Sequence, residues 1–206
     1  MPAKPARPQI IMKPRLLAGE GDDEVAFFGA LLAYLNIDDI QVEQYGGKQN
    51  LSRYVRELRN RPGYERVVAL GLTRDADTDC TAAFDHVRGA LTGNQFPAPG
   101  PLRRILDGTP RIGVFILPGN SRPGMLEDLC MDSVDGDPAL ACLTTYFECV
   151  LRAAGRQPGN QAKARVHAWL ASQTEPDRRL GEAAAKGYWP WDNSAFNALR
   201  DFLRML

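Results

Sequence analysis

The sequence predicts an α/β domain built on a mostly parallel sheet of four or five strands flanked by helices, with a helical C-terminal part. Three observations predict it. The runs Val67 to Leu72 and Ile112 to Leu117 are continuously apolar, as strands buried on both faces are. A shorter run ending in Leu16-Leu17-Ala18 has the same character. Each run is followed by a loop and then by helical spacing, the order that βαβ crossovers produce.

The elements follow in order. Residues 1–14 are rich in proline and basic residues and are expected to form a flexible tail. After Ala18, Val25 to Leu35 carries Phe28, Leu31, Leu32 and Leu35 at helical spacing. Ile40 to Tyr45 alternates apolar and polar residues, so a strand in a more exposed position of the sheet is expected. Gly46-Gly47 ends it, and Asn50 stands where a helix from Leu51 to Arg59 needs an N-cap. After the strand at 67–72, Ala82 to Leu91 is helical, and residues 92–110 read as a long loop or insertion. Helices are expected at Met125 to Met131, Ala139 to Ala153, Gln161 to Ser172 and Ser194 to Leu206. The expected organisation is therefore a tail at 1–14, an α/β core at 15–135 and a helical extension packed on it at 136–206.

Composition narrows the function classes. The 206 residues are 44% apolar and carry no formal net charge. A core can form, but there is no global electrostatic pull toward nucleic acid or an anionic membrane. No stretch reaches the roughly 20 apolar residues of a membrane span, and the start lacks the apolar core of a signal peptide. Cys80, Cys130, Cys142 and Cys149 form no C-x-x-C pair. Cys142 and Cys149 would lie roughly 10 Å apart along one helix, too far to bridge. Reduced thiols in a cytoplasmic protein without zinc are expected.

In a parallel sheet, sites form beyond the carboxyl ends of the strands. Three of those ends carry acids. Glu20-Gly21-Asp22-Asp23-Glu24 follows the first strand, and Glu20 and Glu24 share a face if that segment is helical. Asp75-Ala76-Asp77 follows the second; in an extended segment these two carboxylates face the same way and repel unless a cation lies between them. Glu127 follows the third after a loop. Hard oxygen donors suit Mg²⁺ or Mn²⁺. Asp79 reads as a helix-start residue and Asp128 as solvent-facing.

The strand with Glu20-Gly21-x-x-Glu24, and the buried strand with Asp75-x-Asp77, resemble the Toprim motif pair of topoisomerases, DnaG-type primases, RecR-like recombination proteins and OLD-family nucleases. Together with Tyr45-Gly46-Gly47-Lys48 and Gly124-Met125-Leu126-Glu127, the chain resembles a family of small bacterial proteins with an OLD-like Toprim fold, which is Rossmann-like. The resemblance implies a Mg²⁺- or Mn²⁺-dependent nuclease, or a related phosphoryl-transfer enzyme, acting on nucleic acid. It implies Glu20 as general acid or base, Asp75 and Asp77 as metal ligands, and Glu24 and Glu127 as ligands of a second metal. It also implies a lysine near the scissile phosphate, for which Lys163 and Lys48 are the candidates. Arg122, in the loop before Glu127, is a further candidate for a phosphate. The chain carries no G-x-x-x-x-G-K-[ST] loop. The alternative is thus a non-catalytic Toprim module that binds nucleic acid or a partner ATPase.

Three remaining features have ordinary readings. Tyr188-Trp189-Pro190-Trp191 is expected to pin the C-terminal part to the core rather than to stack on bases. His86 and His167 are expected to be surface or packing residues. Arg152, Arg156, Lys163 and Arg165 form a local basic stretch, read as a wet helix face.

Overall fold

A computed structural model describes residues 10–100 and 105–206. Among these residues five strands form one sheet: β1 (Arg15–Gly19), β2 (Ile40–Gln44), β3 (Ala69–Asp75), β4 (Ile105–Leu106) and β5 (Arg111–Leu117). Their order is β2-β1-β3-β5-β4. All neighbours pair parallel except β4, which runs antiparallel to β5. The alternating run at 40–44 is indeed an edge strand, open on one side. Strand β4 is not legible in the sequence: it is two residues long at the end of the segment expected as loop.

Among the described residues, eight helices flank the sheet: α1 (Asp22–Tyr34), α2 (Leu51–Leu58), α3 (Cys80–Gly93), α4 (Leu126–Ser133), α5 (Ala139–Ala154), α6 (Gln161–Ala171), α7 (Leu180–Ala185) and α8 (Asn197–Met205). The period-two alternation of the strands divides the core into two layers. Leu16, Ala18, Leu70, Leu72, Ile112, Val114 and Ile116 point to the layer of α2 and α3. Leu17, Phe115 and Leu117 point to the other layer, with α1, α4, α6, α7 and α8. Continuous apolar strands are required because both faces are covered.

The second layer is crowded where α8 lies on the sheet. A Cβ at Gly71 would stand 2.6 Å from Leu206 Cδ2, and one at Gly113 would stand 2.8 Å from Phe202 Cε2. Glycine at these strand positions lets the last helix settle on the strands. Trp189 is fully buried, stacked on Trp169 with ring centroids 4.9 Å apart, and Trp191 packs edge-on against Phe27. The aromatic cluster therefore packs against the core, and its rings are not presented for base stacking. Helix α7 has no counterpart among the expected elements; its Gly181 sits against α1, where a Cβ would meet Ala26 Cβ at 2.6 Å.

Most of the expected tail, residues 1–9, lies outside the described residues, as do residues 101–104 of the expected loop. In the described part, Ile10 and Met12 are exposed, while Ile11 is buried and donates its N–H to Pro62 O at 2.9 Å. At the edge strand, Glu43 is buried in a polar network. Arg61 grips it with two bonds of 2.6 and 2.7 Å, and Tyr54 Oη donates at 2.9 Å. Among the described residues, no helix is long and apolar enough to cross a membrane.

Candidate functional site

The chain leaves β1 in one direction to form β2, then returns to the other side of β1 to form β3. The connections on either side of β1 diverge at the carboxyl ends of β1 and β3, the place where open α/β sheets bind their ligands. Glu20 directly follows β1, and Asp75 ends β3. Glu24 lies in the first turn of α1, and Glu127 in the first turn of α4.

Local structure fixes each side chain. Gly21 is the N-cap of α1, and its N–H donates to Glu24 Oε2 at 3.0 Å. Glu20 thus precedes the helix instead of sharing its face with Glu24. Its carbonyl accepts from Gly46 N at 3.1 Å and Gly47 N at 2.8 Å, which ties the Gly-Gly turn to the end of β1. Both glycines have positive φ, 77° and 92°, a backbone that other residues rarely adopt. Asp75 Oδ1 accepts from Leu126 N at 3.0 Å, at the start of α4. Those first N–H groups have no partner within the helix, and the helix dipole favours an anion there. Asp79 caps α3 by accepting from Thr81 N at 2.8 Å and Ala82 N at 3.0 Å. Asn50 holds the cap position of α2, but its side chain donates back to Gly46 O. Asp128 is not simply solvent-facing: it accepts from Met125 N at 2.9 Å and closes the start of α4.

The carboxylates act on one another. Burial, then the charges of Glu24, Glu20 and Glu127, pushes the Asp75 carboxyl well above its ordinary range. Burial also raises Glu20, against the pull of Arg74 and the Asp75 N–H, with Asp77 adding to the rise. Glu24 is raised by burial, and further by Glu20 and Glu127. Glu127 is raised by burial, opposed by Lys163 and reinforced by Asp23 and Asp128. Four carboxylates from three segments therefore form one mutually repelling pool.

Of the other candidates, Lys163 on α6 reaches Glu127, with Nζ 3.8 Å from Oε1. Lys48 lies across the pool and bonds Asp77 at 2.7 Å. Asp77 has φ 52°, so the chain is no longer extended there and the expected alternation with Asp75 fails. It instead bridges to Gly124 and pairs with Lys48. Arg122 is engaged with Asp132, away from the pool. Both histidines are exposed.

Two neighbours escape a reading of the sequence. Arg74, only 11% exposed, lies with Nε 3.9 Å from Glu20 Oε1 and Nη2 4.0 Å from Asp77 Oδ2. Glu20 Oε1 and Arg74 Nε are the two buried side-chain polar atoms without a hydrogen-bond partner among the described residues. A signal for Arg74 does exist: a charged residue ends an otherwise apolar strand. Tyr45 donates its hydroxyl to Thr73 O at 2.8 Å, and burial, with Glu20, Asp75 and Glu24 nearby, pushes that hydroxyl well above its ordinary range. Among the described residues, no three His, Cys, Asp or Glu side chains stand as a ready ligand set. Asp75, Glu24 and Asp77 each give an oxygen to a protein donor. The donors match a hard divalent cation in kind.

The fold has a solved counterpart. The structure of hypothetical protein PH0156 from Pyrococcus horikoshii OT3 aligns at TM-score 0.63 and 15% identity, over 94% of this chain and 93% of that one. The C-terminal region of the Xanthomonas campestris pv. campestris OLD protein aligns at TM-score 0.49 and 16% identity, over 95% of this chain and 97% of that region. The chain is thus an α/β protein of the PH0156 fold. Residues 14–206 match the family described as "Protein of unknown function (DUF3226)", and the chain belongs to that family. No curated protein matches it.

Proposed function

We propose that this chain is a Mg²⁺- or Mn²⁺-dependent enzyme of the Toprim type that cuts or transfers phosphodiester bonds in nucleic acid. The observation that carries this reading is the mutual repulsion of Glu20, Glu24, Asp75 and Glu127 beyond the strand ends, with a buried Glu20 oxygen that accepts no hydrogen bond. Repulsion of this kind is relieved by a cation, and oxygen-only donors select a hard one. Glu20, Glu24, Asp75 and Glu127 would hold it, joined by Asp77 when Lys48 turns to the substrate. A bound divalent cation would lower the pKa of water and offset charge on the phosphate.

The chain's own residues supply the remaining functions. Glu20, its carboxyl raised by burial, suits proton transfer closer to neutral pH than an ordinary glutamate. Arg74 fixes the charge balance beneath it. Lys163 beside Glu127 and Lys48 beside Asp77 bring positive charge to two sides of the pool, where a phosphodiester would lie.

The second reading is a non-catalytic Toprim module that binds nucleic acid or a partner ATPase. One observation favours it: Arg74 and Lys48 already lie against Glu20 and Asp77 without any added cation. A cleavage assay separates the two. Purified protein is incubated with single- and double-stranded DNA and RNA in Mg²⁺ or Mn²⁺. Cleavage is expected from the wild type, and Glu20→Gln should lower its rate by roughly 10² to 10⁴ with substrate affinity largely kept. Equal cleavage by both proteins would refute the catalytic role of Glu20. No cleavage with any substrate and either metal would favour the binding module.

A further inference from the structure

The acids divide in two by the charges they meet. Glu24 Oε2 and Asp75 Oδ1 accept from backbone N–H groups, those of Gly21 and Leu126. Glu127 meets Lys163, whose side chain is 57% exposed and reaches it at 3.8 Å. A solvated lysine at that distance is weakly held and gives way readily.

Glu20 and Asp77 meet something firmer. Arg74 places Nε 3.9 Å from Glu20 Oε1 and Nη2 4.0 Å from Asp77 Oδ2, so its guanidinium stands between the two carboxylates. Nε and Oε1 are both buried and make no hydrogen bond among the described residues, so charge alone holds them together. Two anchors keep the guanidinium there. Its backbone lies in β3, paired with Ile116 of β5, and Nη1 donates to Ala83 O on α3 at 3.4 Å. An arginine does not lose its proton in a protein, so this positive charge is permanent. Lys48 adds another, 2.7 Å from the same Asp77 oxygen.

The motif resemblance implies two metals. An ion shared by Glu20 and Asp77 would need oxygens at about 2.1 Å. The oxygens on offer, Glu20 Oε1 and Asp77 Oδ2, already face the guanidinium. A divalent ion between them would be pressed against a fixed charge of its own sign, in a place with little water to screen it.

We propose that Arg74 takes the place of a second divalent cation, so that the pool holds one ion per chain and Asp77 does not ligate it while substrate is absent. The proposal rests on the cation-dependent reading above and limits it. Arg74 is a positioning residue: it keeps Glu20 and Asp77 together without a metal and leaves the ion to Glu24, Asp75, Glu127 and the remaining oxygen of Glu20.

Mn²⁺ titration of the whole chain, followed by calorimetry and by electron paramagnetic resonance, tests this without reference to activity. The wild type is expected to bind one Mn²⁺ per chain, with the spectrum of an isolated ion. Arg74→Gln should admit a second ion, and two ions about 4 Å apart should broaden the spectrum by spin coupling. Arg74→Lys, which keeps the charge, should return the count to one. Asp77→Asn, at a half-exposed position that endangers the fold least, should leave Mn²⁺ affinity within about twofold, whereas Glu24→Gln should weaken it tenfold or more. Two coupled ions in the wild type would overturn the proposal. So would a tenfold loss of affinity in Asp77→Asn, or a single ion in a folded Arg74→Gln protein. No Mn²⁺ bound by the wild type is a different failure: it would defeat the cation reading of the pool itself, and this proposal with it.

Discussion

Replacing Asp75 by asparagine should stabilise the protein in the absence of divalent cations. The amide side chain would keep an oxygen to accept from Leu126 N, so the start of α4 stays capped. What is lost is a charge pressed against Glu24, Glu20 and Glu127. Each pKa unit by which the fold raises a carboxyl corresponds to about 1.4 kcal/mol between its two protonation states. Removing that charge should therefore raise the unfolding free energy at neutral pH. The sign follows from proton counting. A raised carboxyl binds more protons folded than unfolded, so its contribution is full below its ordinary value of 3.8. That contribution is lost as pH climbs through the raised folded value, and an uncharged amide at this position would remove the loss. Urea unfolding in EDTA, from about pH 4 to about pH 8, measures both effects. The wild type should lose stability with rising pH more steeply than the variant. A folded Asp75→Asn protein less stable than the wild type at neutral pH would refute the account of a strained acid pool.

Other positions give distinct outcomes. Glu43→Ala leaves the Arg61 guanidinium beside an emptied, buried site, so unfolding free energy should fall by about 3–5 kcal/mol, read by chemical denaturation. Glu43→Ala should leave the carboxylate pool intact, so metal affinity measured on the folded protein should not change. Gly181→Ala puts a Cβ against Ala26 Cβ and 2.9 Å from the Asp23 carbonyl. Backbone cannot yield as a flexible side chain can, and a loss of about 1–3 kcal/mol in thermal unfolding is expected.

The parts of the fold legible in the sequence are those dictated by burial on both faces. Strands β1, β3 and β5 announce themselves because no polar side chain fits between two helix layers, except at their ends. The acids are legible for the same reason: polar residues appear where the strands leave the core, and parallel strands present those ends on one edge. Chain reversals and long-range docking are not legible. The left-handed backbone at Asp77 redirects its carboxylate toward Lys48, and no periodicity encodes that turn. Arg74 lies one position before Asp75, yet its burial depends on packing between β3 and α3 that the local sequence does not specify. Lys163 reaches Glu127 only because α6 docks on α4, and α7 is a six-residue helix placed by packing on α1 and the core through Leu180, Gly181, Ala183 and Ala184.

Glu20, Glu24, Asp75 and Glu127 are proposed to form one cation site. Isothermal titration of the whole chain with Mn²⁺ measures it most directly, with Asp75→Asn and Arg74→Gln in parallel. Saturable binding by the wild type and a marked loss in Asp75→Asn are expected. Binding should be tighter in Arg74→Gln, where a competing positive charge 3.9 Å from Glu20 has been removed. Absence of Mn²⁺ binding to the wild type, or binding unchanged in Asp75→Asn, would contradict it.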